Sequence, residues 1–174
     1  MSLQSVITTA LQRIATEFNT VRAEIAALGG GGLPATCYGT RQGGTTSYAS
    51  NWQKVPVNIA NVLLTSDSAK IEMTSNGTFT VKVAGHYQCE GLISYSNMPS
   101  GTTKFVFGVR KNGSLAGYLV RGFATLSSAD YWGTSGNFSL QCSANDTIEF
   151  YAFLGKTFSA TGVYLQVKVT ELGT

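Results

Sequence analysis

The sequence predicts a mainly β protein with one helical appendage at its N-terminus, and three observations carry the prediction. Aromatic residues make up 11% of the 174 residues, there are 20 glycines and only 12% of positions are charged, the usage of an all-β domain with many turns. From Ala35 onward, short alternating apolar–polar runs follow one another with turn residues between them, and eight or more such strands without an intervening helix make a sandwich or barrel. Before Ala35 the period is that of a helix, and it stops in Gly29–Gly32. A chain of this length holds one ordinary domain plus an appendage, and such a domain buries a sizeable core without disulfides or metals.

The N-terminal apolar residues are Ile7, Leu11, Ile14, Phe18, Val21, Ile25 and Leu28, separated by alternating steps of four and three. This is a heptad repeat, with Leu11, Phe18 and Ile25 at a and Ile7, Ile14, Val21 and Leu28 at d. A stripe of two residues in seven is a coiled-coil seam, whereas a helix lying on a core shows a wider band. The helix is therefore expected to meet copies of itself. Branched Ile and Val at d disfavour a parallel dimer, which makes a homotrimer the expectation, and Glu17 at g with Arg22 at the next e favours parallel chains. Gly29–Gly32 ends the helix and Pro34 keeps it from resuming. The expected organisation is a coiled-coil trimerisation helix over 1–28, a linker over 29–34 and a β head over 35–174.

Within the head, "KIEM" and "TFTVKV" flank Ser75-Asn76-Gly77, and "KFVFGVR" and "SLAGYLV" flank Lys111-Asn112-Gly113, two strong hairpin signals. Alternation continues through "GHYQCEGLISY", "YWGTSGNFSLQC", "DTIEFYAFL" and "GVYLQVKV". Its period of two puts Val163, Leu165, Val167 and Val169 on the core face with Tyr87, Ile93, Phe138 and Leu140, and turns Tyr164 and Leu92 to the opposite face.

Several kinds of chemistry find no support. Cys37, Cys89 and Cys142 have no C-x-x-C spacing and read as buried free thiols. The sequons at Asn76, Asn112, Asn137 and Asn145 read as turn chemistry and chance. His86 is the only histidine, which excludes a catalytic triad and a histidine metal site, so no catalytic residue, metal or cofactor is assigned. Asp67, Asp130 and Asp146 stand singly, without an EF-hand loop or a paired-carboxylate motif. The net charge of +3 is spread from Arg13 to Lys168, not gathered on a face for nucleic acid. No apolar run is long enough for membrane insertion, and the first 20 residues lack the parts of a secretory signal, so the chain is expected to be made in a cytoplasm.

At "FTVKVAGHYQC" the spacing of Phe79, Gly85, Tyr87 and Cys89 resembles the signature of complement globular heads and tumour-necrosis-factor-like jelly rolls, with Cys89 where those families prefer Phe. "VRKNG", "LQCSANDTIEFYA" and "TGVYLQV" are further matches, and the resemblance spans about residues 35–174. It implies a ten-strand jelly-roll β-sandwich that assembles as a trimer around its inner sheet, with Tyr164 and Leu92 near the threefold axis. A signal-free, stalked trimer of this kind also resembles the tip of a bacteriophage tail fibre, which implies a virion location and attachment to other virion proteins through the N-terminal helix.

In that family the first strand pairs with the last. Alternating strand directions then put "SNMPSGTT" (96–103), "GFATLSSAD" (122–130) and "GKTFSA" (155–160) at the end away from the chain's entry, and "KNGS" and "SAND" at the entry end. The longer loops become the expected contact for a host cell-surface glycan or protein, through Asn97, Met98, Ser127, Asp130, Lys156 and Phe158. Rival expectations are a structural or decorating virion protein without receptor binding and, less favoured, a polysaccharide depolymerase.

Overall fold

In a computed structural model the period-two alternation of the head folds, among the described residues, into thirteen strands, numbered β1 to β13 along the chain. The structure describes residues 34–57, 64–161 and 163–173, together with Gln12, Arg13, Thr16, Glu17 and Thr20. One sheet has the order β10 (Asp130–Cys142), β7 (Gly85–Met98), β13 (Tyr164–Gly173), β1 (Thr36–Gln42), β4 (Leu64–Thr65). The facing sheet has the order β5 (Ile71–Met73), β6 (Thr78–Val81), β11 (Thr147–Leu154), β8 (Gly101–Lys111), β9 (Ser114–Leu126), with β3 (Trp52–Lys54) also paired to β11. A ribbon of β2 (Thr46–Tyr48) and β12 (Phe158–Ala160) completes the strands, all pairs being antiparallel. The layers have five and six strands, so the expected β-sandwich is present with more than the ten strands expected, and β2 with β12 forms a separate ribbon.

The core lies between the layers. Val163, Leu165, Val167 and Val169 are buried, as are Tyr87, Ile93 and Leu140, while Phe138 is only half-buried. Its ring lies over Gly117, where a Cβ would come within 2.4 Å of it. Phe79 and Phe107 pack on Phe150 with ring centroids 5.7 and 6.1 Å away. Gly91 and Gly136 are register partners across β7 and β10. A Cβ on Gly91 would lie 2.5 Å from Phe107 Cε1, and one on Gly136 would lie 2.3 Å from the Leu119 carbonyl oxygen, so side chains at either would force the layers apart. Cys37, Cys89 and Cys142 are free and buried.

Strand directions define two ends. At the base lie the Asn112–Gly113 turn, with φ of 50° and 79° as a type I′ hairpin requires, and the turn around Asn145. Ala35 is there too: its carbonyl accepts the Glu171 N–H at 2.8 Å, and its N–H donates to Glu171 Oε2 at 3.3 Å. Lys70 Nζ donates to the same carboxylate oxygen at 2.9 Å, so the nearly buried Glu171 fastens the start of the head to its last strand.

The chain divides into two compact units, Met1–Pro34 and Ala35–Thr174. Ile7, Leu11, Ile14, Phe18, Val21, Ile25 and Leu28, the expected trimerisation stripe, all lie outside the described residues, and the coiled coil has no structural support. The five described residues near them have helical backbone, but no helix is among the described elements. No helix among the described residues is long and apolar enough to cross a membrane.

Candidate functional site

The end opposite Ala35 is built by the β7–β8, β9–β10 and β11–β12 connections and by the segment leading into β2. These connections are shorter than the sequence suggests. β7 runs to Met98 and β8 starts at Gly101; β9 ends at Leu126 and β10 starts at Asp130; β12 forms within "GKTFSA". Length therefore does not separate this end from the base, a correction to the expectation of roomy distal loops.

Under the distal surface sits an aromatic cluster. Tyr95 donates to the Tyr48 hydroxyl at 2.7 Å, both side chains being fully buried. The Tyr48 ring stacks on Phe158 at 5.9 Å, Trp132 stacks on Tyr95 at 6.0 Å, and Phe105 tilts against Trp132 at 4.8 Å. Burial pushes the pKa of both phenols up, and for Tyr95 the neighbouring Tyr48 adds to the rise, so the pair stays neutral. A buried pair of phenols with the hydroxyls joined fixes the position of β2 and β12 against the sandwich.

The six expected contact residues divide in two. Met98 is fully buried, which corrects its expected place on the surface: the turn follows it at once and the sheet pairs it with Asp130. Phe158 is half-buried in the aromatic cluster. Asn97 clasps β12 and the residue that follows it, its Nδ2 donating to the Ser159 carbonyl at 2.8 Å and its Oδ1 accepting from the Thr161 N–H at 2.7 Å. Lys156 donates to the Ser100 carbonyl, tying two distal connections together. Only Ser127 and Asp130 are openly exposed, and Asp130 spends one carboxylate oxygen on the Tyr131 N–H at 2.7 Å.

Sequence reasoning missed the large exposed rings beside them. Tyr131 is 74% exposed and Phe123 70%, at the side of the sandwich where β9 and β10 are the terminal strands of the two layers. Alternation carried one step on from Trp132 puts Tyr131 outside. A register shift between Asp130 and Trp132 marks the same place.

A second surface is the outer face of the β10–β7–β13–β1–β4 sheet. Leu92 and Tyr164 are exposed there, beside a depression of about 400 Å³ lined by Tyr38, Glu90, Ser135, Asn137, Gln166 and Lys168. Its charges are mutually satisfied, since Lys168 Nζ lies 2.5 Å from Glu90 Oε2.

No catalytic constellation assembles at either surface. His86 is exposed on β7. Asp67 accepts from the Ala69 N–H in its own turn, and Asp146 accepts from Asn112 and the Ser143 N–H at the base. Among the described residues no three His, Cys, Asp or Glu side chains group to hold a metal ion.

No protein-family model and no curated protein matches the sequence. Solved structures do match in fold. The globular domain of zebrafish complement 1qA protein superposes with a TM-score of 0.55 at 18% identity, covering 79% of this chain and 97% of that one. The PRD1 vertex protein P5 gives 0.56 at 14%, covering 82% and 100%. Murine APRIL gives 0.52 at 13%, covering 80% and 99%. At these identities the likeness establishes a shared jelly-roll sandwich.

Proposed function

We propose that the chain is one subunit of a trimeric fibre-type or capsid protein of a bacteriophage, and that its head recognises a saccharide or protein on the host cell surface. One observation carries the trimer: a single head exposes two different apolar patches. Leu92 and Tyr164 lie on the outer face of one sheet, whereas Phe123 and Tyr131 lie at its β9–β10 side. Two unlike patches on one subunit suit a heterologous contact, side of one copy against face of the next, which closes into a ring. The heptad stripe of residues 7–28 sets the ring at three. Likeness of fold to a vertex protein favours a viral setting.

Recognition is assigned to the distal end because the base is occupied by the covalent entry at Ala35 and its Glu171 clasp. Of the expected contact residues, Ser127 and Asp130 are left free to meet a ligand there, while Asn97, Met98, Lys156 and Phe158 hold the end in shape. The reading assigns no catalysis, cofactor or nucleic acid, and places the protein on the virion with the N-terminal helix as its attachment to other virion proteins.

Sedimentation equilibrium should give three times the chain mass, and the purified protein should adsorb to host cells. Replacing Ser127–Asp130 by Gly-Ser of equal length should leave the mass unchanged and lower adsorption. A monomer at micromolar concentration refutes the assembly; full adsorption by that variant refutes the site.

A further inference from the structure

Outward-facing side chains of the other layer, on β3, β8, β9 and β11, converge on a cleft of about 250 Å³ lined by Trp52, Lys104, Val106, Tyr118, Arg121 and Phe153. Pairing dictates the convergence. Phe153 on β11 faces outward because Ala152 and Leu154 are buried, and its register partners are Trp52 on one side and Val106 on the other. Val106 in turn pairs with Arg121, and Gly108 with Tyr118. Gly108 leaves the floor beneath the rings low: a Cβ there would stand 3.5 Å from Trp52 Cη2.

Three rings form the walls. Trp52 and Tyr118 are nearly parallel, with centroids 6.5 Å apart and an interplanar angle of 22°, and Phe153 tilts against Trp52 at 6.1 Å. Two cations stand over them, Lys104 Nζ at 5.9 Å from the Phe153 centroid and Arg121 Cζ at 5.2 Å from that of Tyr118. Five lysines of the head have carboxylate partners: Lys54 with Glu149, Lys70 with Glu171, Lys82 with Glu72, Lys111 with Asp146 and Lys168 with Glu90. Among the described residues no carboxylate forms an ion pair with Lys104 or Arg121, and the cleft lining contains none.

We infer that this cleft binds an acidic sugar residue of a surface polysaccharide, such as a uronic acid, with the pyranose ring on the Trp52–Tyr118 face and its carboxylate between Lys104 and Arg121. Aromatic faces present a partial negative charge to the polarised C–H bonds of a pyranose, and two unpaired cations at the rim complement one anionic group. Nucleic acid would need a longer basic track than two cations, and the remaining charge of the chain is scattered. The inference rests on the reading of the protein as a surface-binding module, and it adds a second contact on the side of the head, away from Ser127 and Asp130.

The test uses the full-length protein titrated with an oligomer of six galacturonic acid residues, with a six-residue neutral glucose oligomer and a thymidine oligonucleotide as comparators. Binding is followed by tryptophan emission and calorimetry. Trp52 and Trp132 are the only tryptophans, and Trp132 is part of the aromatic cluster, so the emission change should vanish in Trp52→Phe. Saturable binding of the acidic oligomer, absent for the neutral one and weakened roughly tenfold by Lys104→Gln or Arg121→Gln, supports the site. Both side chains are exposed, so the variants should fold, and unchanged sedimentation verifies it. No binding at millimolar acidic oligomer, equal binding of the neutral oligomer, or preference for the oligonucleotide overturns it. Loss of host adsorption in the 127–130 replacement with oligomer binding intact separates this cleft from the distal end. If the wild-type protein neither assembles nor adsorbs yet binds the acidic oligomer, the functional reading falls and the cleft stands.

Discussion

Tyr164 and Leu165 are adjacent in sequence and should fail in opposite ways when truncated. Leu165 is fully buried on β13 opposite Ile93, whereas Tyr164 is 52% exposed on the other face of the same sheet. Leu165→Ala removes the equivalent of about three methylene groups, roughly 2.4 kcal/mol of transfer free energy. The cavity left between tightly packed sheets raises the loss to about 3 to 5 kcal/mol. Tyr164→Ser removes little from a single head but takes a large ring from the proposed subunit contact, where such rings are worth about 2 kcal/mol or more. Urea unfolding followed by tryptophan emission separates the two when repeated over a hundredfold range of protein concentration. The midpoint shift of Leu165→Ala should be the same at every concentration with an unchanged slope, because the loss lies within one head. The shift of Tyr164→Ser should shrink to nothing at dilutions where the wild-type protein is already monomeric. A concentration-independent loss of equal size for both variants would refute the assignment of opposite faces, and a Leu165→Ala loss of a few tenths of a kcal/mol would refute the core.

Three further outcomes follow from particular contacts. Gly136→Ala should destabilise by about 1 to 3 kcal/mol in chemical denaturation, because its Cβ meets the Leu119 carbonyl at 2.3 Å and backbone cannot step aside, whereas outward-facing Ser135→Ala should change little. All three thiols should resist Ellman's reagent at pH 8 until the protein is unfolded, since burial raises the pKa of Cys37, Cys89 and Cys142, that of Cys142 to about 11. Acid should weaken the fold through Asp146 and Glu149. The Asn112 hydrogen bond, with that of the Ser143 N–H, lowers the Asp146 pKa; burial pushes Glu149 up, but hydrogen bonds from Lys54 and Thr78 outweigh it and the net shift is downward. Lowered carboxylate pKa values add stability above the unfolded values near 4, and that stability is lost as pH falls through the folded ones. The urea midpoint should therefore drop below about pH 4, less steeply in Glu149→Gln.

What was legible in the sequence was local. Asn112-Gly113 states its own turn because the backbone needs positive φ at both positions, and the alternation from Tyr87 to Tyr95 states its own face. Strand ends were not legible, because Gly101 and Thr102 are strand only through Leu126 and Thr125, more than twenty residues away in sequence. Met98 was misplaced for the same reason: its burial follows from pairing with Asp130 and from the register shift beyond it. The Trp52 cleft needs residues from four strands, and no segment of the sequence contains more than two of them.

The exposed rings supply the link between the head and its assembly. A sheet edge that shows unpaired backbone and large apolar side chains invites uncontrolled pairing, and soluble proteins protect such edges with charge, bulges or a cover. β9 and β10 are both terminal strands, and at this side the rings of Phe123 and Tyr131 stand 70% and 74% exposed. Asp130 is spent on the Tyr131 N–H, and Arg121 stands over the Tyr118 ring at the Trp52 cleft. A cover is the protection that the proposed assembly would add, and the face carrying Leu92 and Tyr164 has the apolar surface to provide it on a neighbouring copy. It follows that Phe123→Ser and Tyr131→Ser should leave a soluble, folded monomer at concentrations where the wild-type protein sediments as an oligomer. A wild-type head that stays soluble and monomeric at all concentrations would show that these rings need no cover.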